Sequence, residues 1–302
     1  MSIVTSMLRR GYRSADAAIH ARLYAGRKMR TGRGWPRPGI SDLTRQPVLV
    51  VVAHPDDEVI GIGAVLARLS EFGIVTVTDG APRDGRAAKA AGFKDTKSYG
   101  EARRREAAAA LALLGRKATL VENLGYPDQR AIHNVVPIVR RLMRLMRAHD
   151  FKYVVTHPYE GGHPDHDATA LAVHAACLLL RESGFEAPVP VEMTSYHLAD
   201  GEMTHGRFLP YRDAGAVETF VLTAPEQDLK RRMFACHATQ KAALESFPLD
   251  AERFRPAPPY NFLDPPHAGR LAYEVFMWNA DGAAWRRSAA RALRRLGLIE
   301  PS

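Results

Sequence analysis

Residues Val48 to Ala53, VLVVVA, place six apolar residues in a row with no polar alternation. A strand with one wet face alternates apolar and polar side chains. An unbroken β-branched run therefore belongs inside a mostly parallel sheet covered on both faces. Such a sheet needs long crossovers, and the sequence supplies them. GIVTVTDG (73–80) reads as a second strand, and helices are expected over about Val59 to Ser70 and about Tyr99 to Leu114. The second of these helices contains EARRREAAAALALL, rich in strong helix formers, and Gly115 supplies its stop. The rhythm continues with a helix from about Val135 to Arg147, the strand KYVVTHP ending at Pro158, and a helix from about Ala168 to Leu180. Strands follow at Met193 to His197 and Ala216 to Val221. The expected fold class is α/β, a doubly wound, mostly parallel (Rossmann-like) sheet with helices on both faces.

Charge divides the chain into three parts. The overall balance is +9 over 302 residues, but residues 1–46 hold ten Lys or Arg against two acids, and residues 281–302 hold five Arg against two acids. By subtraction the middle, 47–280, is slightly acidic, so no basic groove for nucleic acid is expected in it. The first part reads as a basic extension, with a helix after Ser14 and a Gly/Pro/Arg linker in TGRGWPRPG. The last part reads as a short basic helix with Trp285, Leu293 and Leu296 on its apolar side. Both ends are expected to pack on the domain, with peripheral contact to an anionic membrane as the alternative. No apolar run approaches the roughly 18–20 residues that span a bilayer, and a soluble cytoplasmic protein is the expectation. Cys177 and Cys236 are the only cysteines and are not in C-x-x-C spacing, which argues for reduced thiols rather than a disulfide framework.

Two polar clusters follow strands directly. AHPDDE (53–58) begins where VLVVV stops, and HPYEGGHPDH (157–166) begins where YVVT stops. Open α/β sheets place their sites outside the carboxyl ends of the strands, so both clusters are expected at one edge. Imidazole and carboxylate are suitable zinc ligands, and three protein ligands leave a position for water. His54 with an aspartate of the first cluster, and a histidine of the second, can meet at one ion. Of Asp56 and Asp57, one can ligate while the other serves as a base. Gly61 and Gly63 do not form a dinucleotide fingerprint, because no glycine precedes the helix in the required order.

The chain resembles the PIG-L/LmbE-like deacetylases over about residues 47–280. The resemblance rests on AHPDDEVIGIGA (53–64), TDG (78–80), RRREAAAALALLG (103–115), LGYPD (124–128), GHPDH (162–166) and HATQK (237–241). It implies a zinc-dependent N-deacetylase acting on an N-acetylglucosaminyl conjugate, with Zn2+ as the metal and Fe2+ as the alternative. It implies His54, Asp57 and His166 as metal ligands and Asp56 as the general base. His163 is implied as the group that stabilises the oxyanion or protonates the leaving amine, with Asp165 orienting it. Arg83 and Asp128 are candidates for sugar hydroxyl contacts. The implied partner is a small glycoside or glycoconjugate, with a homo-oligomer as a further expectation. The segment Ser246 to Arg270 departs from the family pattern and reads as an ordered lid or oligomer contact. Two other readings stand beside the deacetylase: a zinc amidase that cleaves a larger acyl group, and a non-catalytic carbohydrate-binding protein.

Overall fold

The computed structural model describes Trp35, residues 40–276 and residues 280–300. The expected helix after Ser14 and, Trp35 apart, the linker after it lie outside the described residues. The strands, in chain order, are β1 (Pro47–Val52), β2 (Glu71–Thr78), β3 (Leu120–Tyr126), β4 (Tyr153–Thr156) and β5 (Val189–Met193). They are followed by β6 (Tyr196–Ala199), β7 (Glu202–His205), β8 (Glu218–Val221) and β9 (Ala251–Pro256). The main helices are α1 (Asp57–Gly61), α2 (Thr96–Ala112), α3 (Val135–Ala148), α4 (Pro164–Glu182), α5 (Ala224–Cys236) and α6 (Gly282–Arg295).

Among the described residues the central sheet has seven strands in the order β3-β2-β1-β4-β5-β9-β8, and β6 and β7 form a separate hairpin. The first five are mutually parallel, while β9 runs antiparallel to both β5 and β8. This is the doubly wound sheet expected from the unbroken β-branched runs. Strand order reverses between β1 and β4, which pair directly through Val48↔Tyr153, Leu49↔Val154 and Val50↔Val155. The crevice of an open α/β sheet lies at such a switch point. Both polar clusters leave the sheet there.

Alternation along β1 feeds two cores. Leu49 and Val51 pack with α3, α4 and α6, whereas Val48, Val50 and Val52 pack with Ile62, Leu66, Val155 and Phe254. Helix α3 presents Val135, Ile138, Val139, Leu142 and Met146 inward at three- and four-residue spacing. Helix α6 buries Trp285, Leu293 and Leu296, the residues expected on its apolar side. Asp281 caps it by accepting from Ala284 N at 2.9 Å. No helix among the described residues is long and apolar enough to cross a membrane.

Several elements differ from expectation, among them the strand expected at Met193 to His197, which is divided between the end of β5 and the start of the β6–β7 hairpin. The helix expected over Val59 to Ser70 is broken: α1 ends at Gly61 and a 3-10 turn covers Val65–Arg68. At the break, Ala64 N and Val65 N each donate to the Glu252 carboxylate at 2.9 Å. Lys230 Nζ pairs with the same carboxylate at 2.8 Å and donates to Ile60 O at 2.9 Å. The ion pair thus replaces the helical bonds that the break removes. The segment Ser246 to Arg270 is not a lid. It contributes β9 to the sheet and then buries Tyr260 and Phe262 in the core. Helix α4 starts at Pro164, four residues before the expected Ala168, with His163 as its N-cap.

Lys230 and Glu252 are both fully buried, so truncating one leaves the other charged and unpaired. We expect Glu252→Ala to cost about 3–5 kcal/mol of unfolding free energy. We expect Lys230→Met combined with Glu252→Gln to recover part of that loss, as measured by denaturant unfolding.

Candidate metal centre

The site is built on three strand ends and the first turn of α4. His54 follows β1, and the chain turns sharply at Asp56, whose φ of 149° and ψ of −24° lie where non-glycine residues rarely sit. Asp57 and Glu58 then open α1, and all of these side chains are buried. Asp57 Oδ2 accepts from His54 N at 2.7 Å, closing the turn on itself. The second cluster leaves β4. Asp167 in the first turn of α4 accepts from Gly161 N at 3.1 Å and draws this loop back onto the helix start. Glu160, in the same loop, pairs with the buried Arg255 of β9 at 3.1 Å.

Donor groups of three residues converge between the clusters. His54 Nδ1 lies 3.2 Å from Asp57 Oδ2, His166 Nε2 lies 3.2 Å from Asp57 Oδ1, and the two ring nitrogens are 3.3 Å apart. Ligands about 2.0–2.1 Å from a tetrahedral zinc stand roughly 3.3–3.4 Å from one another, so these separations fit one ion. Burial works against a charged His54, but Asp128, Asp165 and Asp57 outweigh it and hold its pKa well above the ordinary range, so an ion binding there has to displace a proton from that ring. Burial holds His166 down to about 3 despite Asp57, which leaves a neutral imidazole with a lone pair. Burial works against the Asp57 carboxylate, but the imidazoles of His166 and His157 outweigh it and hold Asp57 well below its ordinary range. The wider constellation includes a group formed by His54, His163 and His166 and another formed by His54, Asp128, His163 and Asp165.

The groups around this triad fix its orientation. His54 turns Nε2 toward Asp165 at 3.5 Å and Asp128 at 3.6 Å, so two carboxylates face the side of the ring away from the donor cluster. Carboxylates behind a ligating imidazole set its tautomer and orientation. His157 lies flat on His166, with ring centroids 4.0 Å apart, and its Nε2 accepts from Ala53 N at 3.1 Å. Ser195 Oγ approaches His166 Nδ1 at 3.4 Å.

Asp56 stands apart from the triad. Its carboxylate pairs with the buried Arg103 guanidinium at 2.8 Å, and Arg103 also donates to Gly80 O at 2.6 Å. Burial raises the Asp56 pKa to about 6, against the pull of Arg103. That value suits a base working near neutrality. His163 Nδ1 accepts from Asp165 N at 3.1 Å, which puts the proton of the neutral ring on Nε2. Burial and the neighbouring His54 keep that ring neutral.

The sequence-derived site residues are thus brought together, with two shifts of position. The Asp165 carboxylate accepts from Gln129 N and Ala131 N and faces His54, not His163. The carboxylate nearest His163 Nε2 is Asp128, at 3.8 Å. Arg83 folds back onto its own loop, bonding Asp79 at 2.5 Å and Ala81 O at 2.7 Å. It also lines, with Asp128, Arg130, His133 and Trp285, a cavity of about 170 Å³ beside the triad. Sequence reasoning missed Arg103 and His157. Arg103 sits in an Arg-Arg-Arg run in which nothing marks the buried member, while His157, ending a buried strand, carried a usable signal.

Residues 49–177 match the family model described as PIG-L, GlcNAc-PI de-N-acetylase. The matched segment, 129 of the 302 residues, is similar to a PIG-L domain. The match begins in β1 and ends within α4, so the matched segment contains every residue of the donor triad together with Asp56 and His163. Solved structures share its fold. A deacetylase of the teicoplanin biosynthesis pathway is 19% identical with a TM-score of 0.54, covering 70% of this chain and 97% of that one. The A40926 pseudoaglycone deacetylase Dbv21 is 22% identical with a TM-score of 0.55 and the same coverage. The N,N'-diacetylchitobiose deacetylase of Pyrococcus horikoshii is 20% identical with a TM-score of 0.50, covering 73% and 88%. No curated protein sequence matches the chain.

A ligand that binds only the folded protein stabilises it, by about 2.7 kcal/mol at one hundred times its dissociation constant. Saturating Zn2+ is expected to raise the thermal midpoint of the chelator-stripped protein. His166→Ala is expected to abolish that rise without altering the far-UV circular dichroism spectrum.

Proposed function

We propose that this chain is a metal-dependent hydrolase that removes the acetyl group from an N-acetylated sugar, with zinc as its metal. The observation that carries the reading is the pairing, inside the segment similar to a PIG-L domain, of a three-donor cluster with a separate buried carboxylate. His54, Asp57 and His166 have the spacing of ligands to one ion, while Asp56 is held off that cluster by Arg103. Structural neighbours described as a deacetylase of teicoplanin biosynthesis, an A40926 pseudoaglycone deacetylase and an N,N'-diacetylchitobiose deacetylase support the substrate class.

In this reading His54 Nδ1, the Asp57 carboxylate and His166 Nε2 hold the ion. When bound, the ion supplies Lewis acidity, which makes water easier to deprotonate and polarises an amide carbonyl. Asp56 takes the proton of the attacking water. Arg103 fixes the orientation of that carboxylate by pairing with one of its oxygens, leaving the other for the water. The Nε2–H of His163 donates to the substrate where charge develops during attack, a contribution that grows as the carbonyl becomes tetrahedral. Asp128 and Asp165 behind His54 keep its ring turned toward the donor cluster. Breakage of the C–N bond, with a proton delivered to nitrogen, releases acetate and a free amino sugar. The cavity beside Asp128, walled by Arg83 and Trp285, takes the sugar portion.

The deciding experiment measures acetate release by the zinc-loaded protein across a panel of N-acetylglucosaminides. Asp56→Ala is expected to lower kcat by about 10²–10⁴-fold, the range for loss of a general base. Its zinc content is expected to stay at the wild-type level. Absence of acetate release across the panel, or an Asp56→Ala variant as active as wild type, refutes the mechanism.

A further inference from the structure

Helices α3 and α6 carry charge of one sign only. Helix α3 contains four arginines and α6 five, and neither contains an aspartate or glutamate. Residues 47–280, which include α3, are slightly acidic as a whole, so the arginines of that helix mark a local segregation of charge. The two helices are distant in sequence but adjacent in the fold. Helix α6 packs on α3 and on the 3-10 turn Ala131–Asn134 that leads into it. The apolar sides of both helices enter the same core, on one side of the sheet.

What remains outside is basic. Along α6 the residues Trp285, Ala289, Ala292 and Leu293 are buried, which leaves Arg287, Arg291 and Arg294 exposed at three- and four-residue spacing on one stripe. Arg140 is exposed on α3, and Arg130 is exposed just before the 3-10 turn. Acidic neighbours are already engaged. Glu122 of β3 accepts from Arg141 through both oxygens, at 2.6 and 2.5 Å, and Asp281 is the cap of α6. Arg130, Arg140, Arg287 and Arg294 pair with no acid among the described residues. A face of this kind projects a positive potential that attracts an extended anionic partner.

An apolar step borders the basic face where α6 begins. Gly282 N donates to the Glu274 carboxylate at 2.8 Å, which fastens the short helix Ala272–Val275 to the start of α6. At the end of that short helix Val275 is 37% and Phe276 47% exposed. Membrane-surface binding draws on both kinds of group, since its strength follows the apolar area buried and the attraction to anionic lipid. Phosphates alone would satisfy the arginines. Phosphates lying above an apolar interior satisfy the arginines together with Val275 and Phe276, which favours a bilayer over a nucleic acid.

We infer that the α3–α6 face is a docking surface for an anionic phospholipid bilayer, with its arginines among the headgroup phosphates and Val275 and Phe276 at the acyl boundary. The inference does not depend on the N-deacetylase reading. It bears on access to the site, because the cavity walled by Arg130, His133, Ala284 and Ser288 lies between the 3-10 turn and α6 and opens beside the docked membrane. Each arginine at such a surface strengthens binding about fivefold, a gain that salt screens.

The test uses the full chain and vesicles of phosphatidylglycerol mixed equally with phosphatidylcholine. Co-sedimentation with these vesicles is expected at physiological ionic strength, with release at high salt and no binding to pure phosphatidylcholine. Combining Arg140→Gln, Arg287→Gln and Arg294→Gln is expected to weaken binding on the order of 100-fold. The far-UV circular dichroism spectrum, the thermal midpoint and acetate release from a soluble N-acetylglucosaminide are expected to match wild type. Phe276→Ser is expected to weaken binding about tenfold and to leave its salt dependence unchanged. Hydrogen exchange of the wild-type protein locates the contact without any substitution, and vesicles are expected to protect residues 272–276. A wild-type protein that ignores anionic vesicles, or binds neutral ones equally well, overturns the inference. So does a triple variant that binds as tightly as wild type, which would assign the attraction to the basic residues 1–34. Tighter binding to a duplex oligonucleotide than to the vesicles overturns it in favour of nucleic acid. Acetate release by the wild-type protein decides the deacetylase reading separately from all of these outcomes.

Discussion

The parallel pairing of β1 with β4 is the constraint on which the site depends. Val50 opposite Val155 sets the register, and Thr156 Oγ1 reinforces it by donating to Val51 O at 2.9 Å. Two loops separated by about a hundred residues of chain then emerge side by side. His157 binds back to Ala53 N, the first residue after β1, so the pairing continues one step beyond the sheet through a side chain. A slip of one residue along this ladder would turn the side chains of the slipped strand to the opposite core. It would also separate His54 from His166, so packing and chemistry share a single register.

Around that ladder the molecule buries an unusual number of charges for a hydrophobic sheet, and each set ties together elements distant in sequence. Lys230–Glu252 joins α5 and β9 to the break after α1. Arg255 joins β9 to Glu192 of β5 and to Glu160 of the second loop. Arg103 joins α2 to the turn at Asp56. Hydrophobic residues of similar volume could fill these positions, often at no loss of stability. Directional partners do what packing does poorly, which is to hold strained or irregular backbone next to the metal centre in one arrangement. The backbone at Asp56 illustrates the point, since the side chain of that strained residue is itself held by Arg103.

Those same charges explain where the sequence was readable. Strands β1, β2 and β4 show as β-branched runs, and the two polar clusters stand directly after β1 and β4, so the sheet and the convergence of His54, Asp57 and His166 could be anticipated. Strand β9 reads AERFRP, and a buried strand carrying Glu252 and Arg255 looks like a loop until their partners on other elements are known. Strand β3, LVENLGY, sits at the sheet edge with Val121 65% exposed, so its pattern is weak for the opposite reason. The break after α1 depends on Glu252, nearly two hundred residues away, and local propensity cannot register it. The start of α4 was legible in principle, because Pro164 at its first turn is followed by Asp165 and Asp167, both favourable at a helix N-terminus. Which ring each carboxylate faces is a matter of helix phase and side-chain torsion. For that reason the pairing of Asp165 with His54 rather than His163 emerged only in three dimensions.

The indole of Trp285 donates to the carbonyl of Pro164 at 3.0 Å. Pro164 is the first residue of α4, two positions before His166, and Trp285 lies in the last described helix. One hydrogen bond thus connects the start of α4 to a helix more than a hundred residues further along the chain. During translation, His54, Asp57 and His166 emerge from the ribosome more than a hundred residues before their support is finished. The nascent chain carries the donor cluster while the wall behind it is still missing. The wall behind the start of α4 is therefore complete only once α6 has docked, so the local geometry next to His166 depends on a helix far from it in sequence.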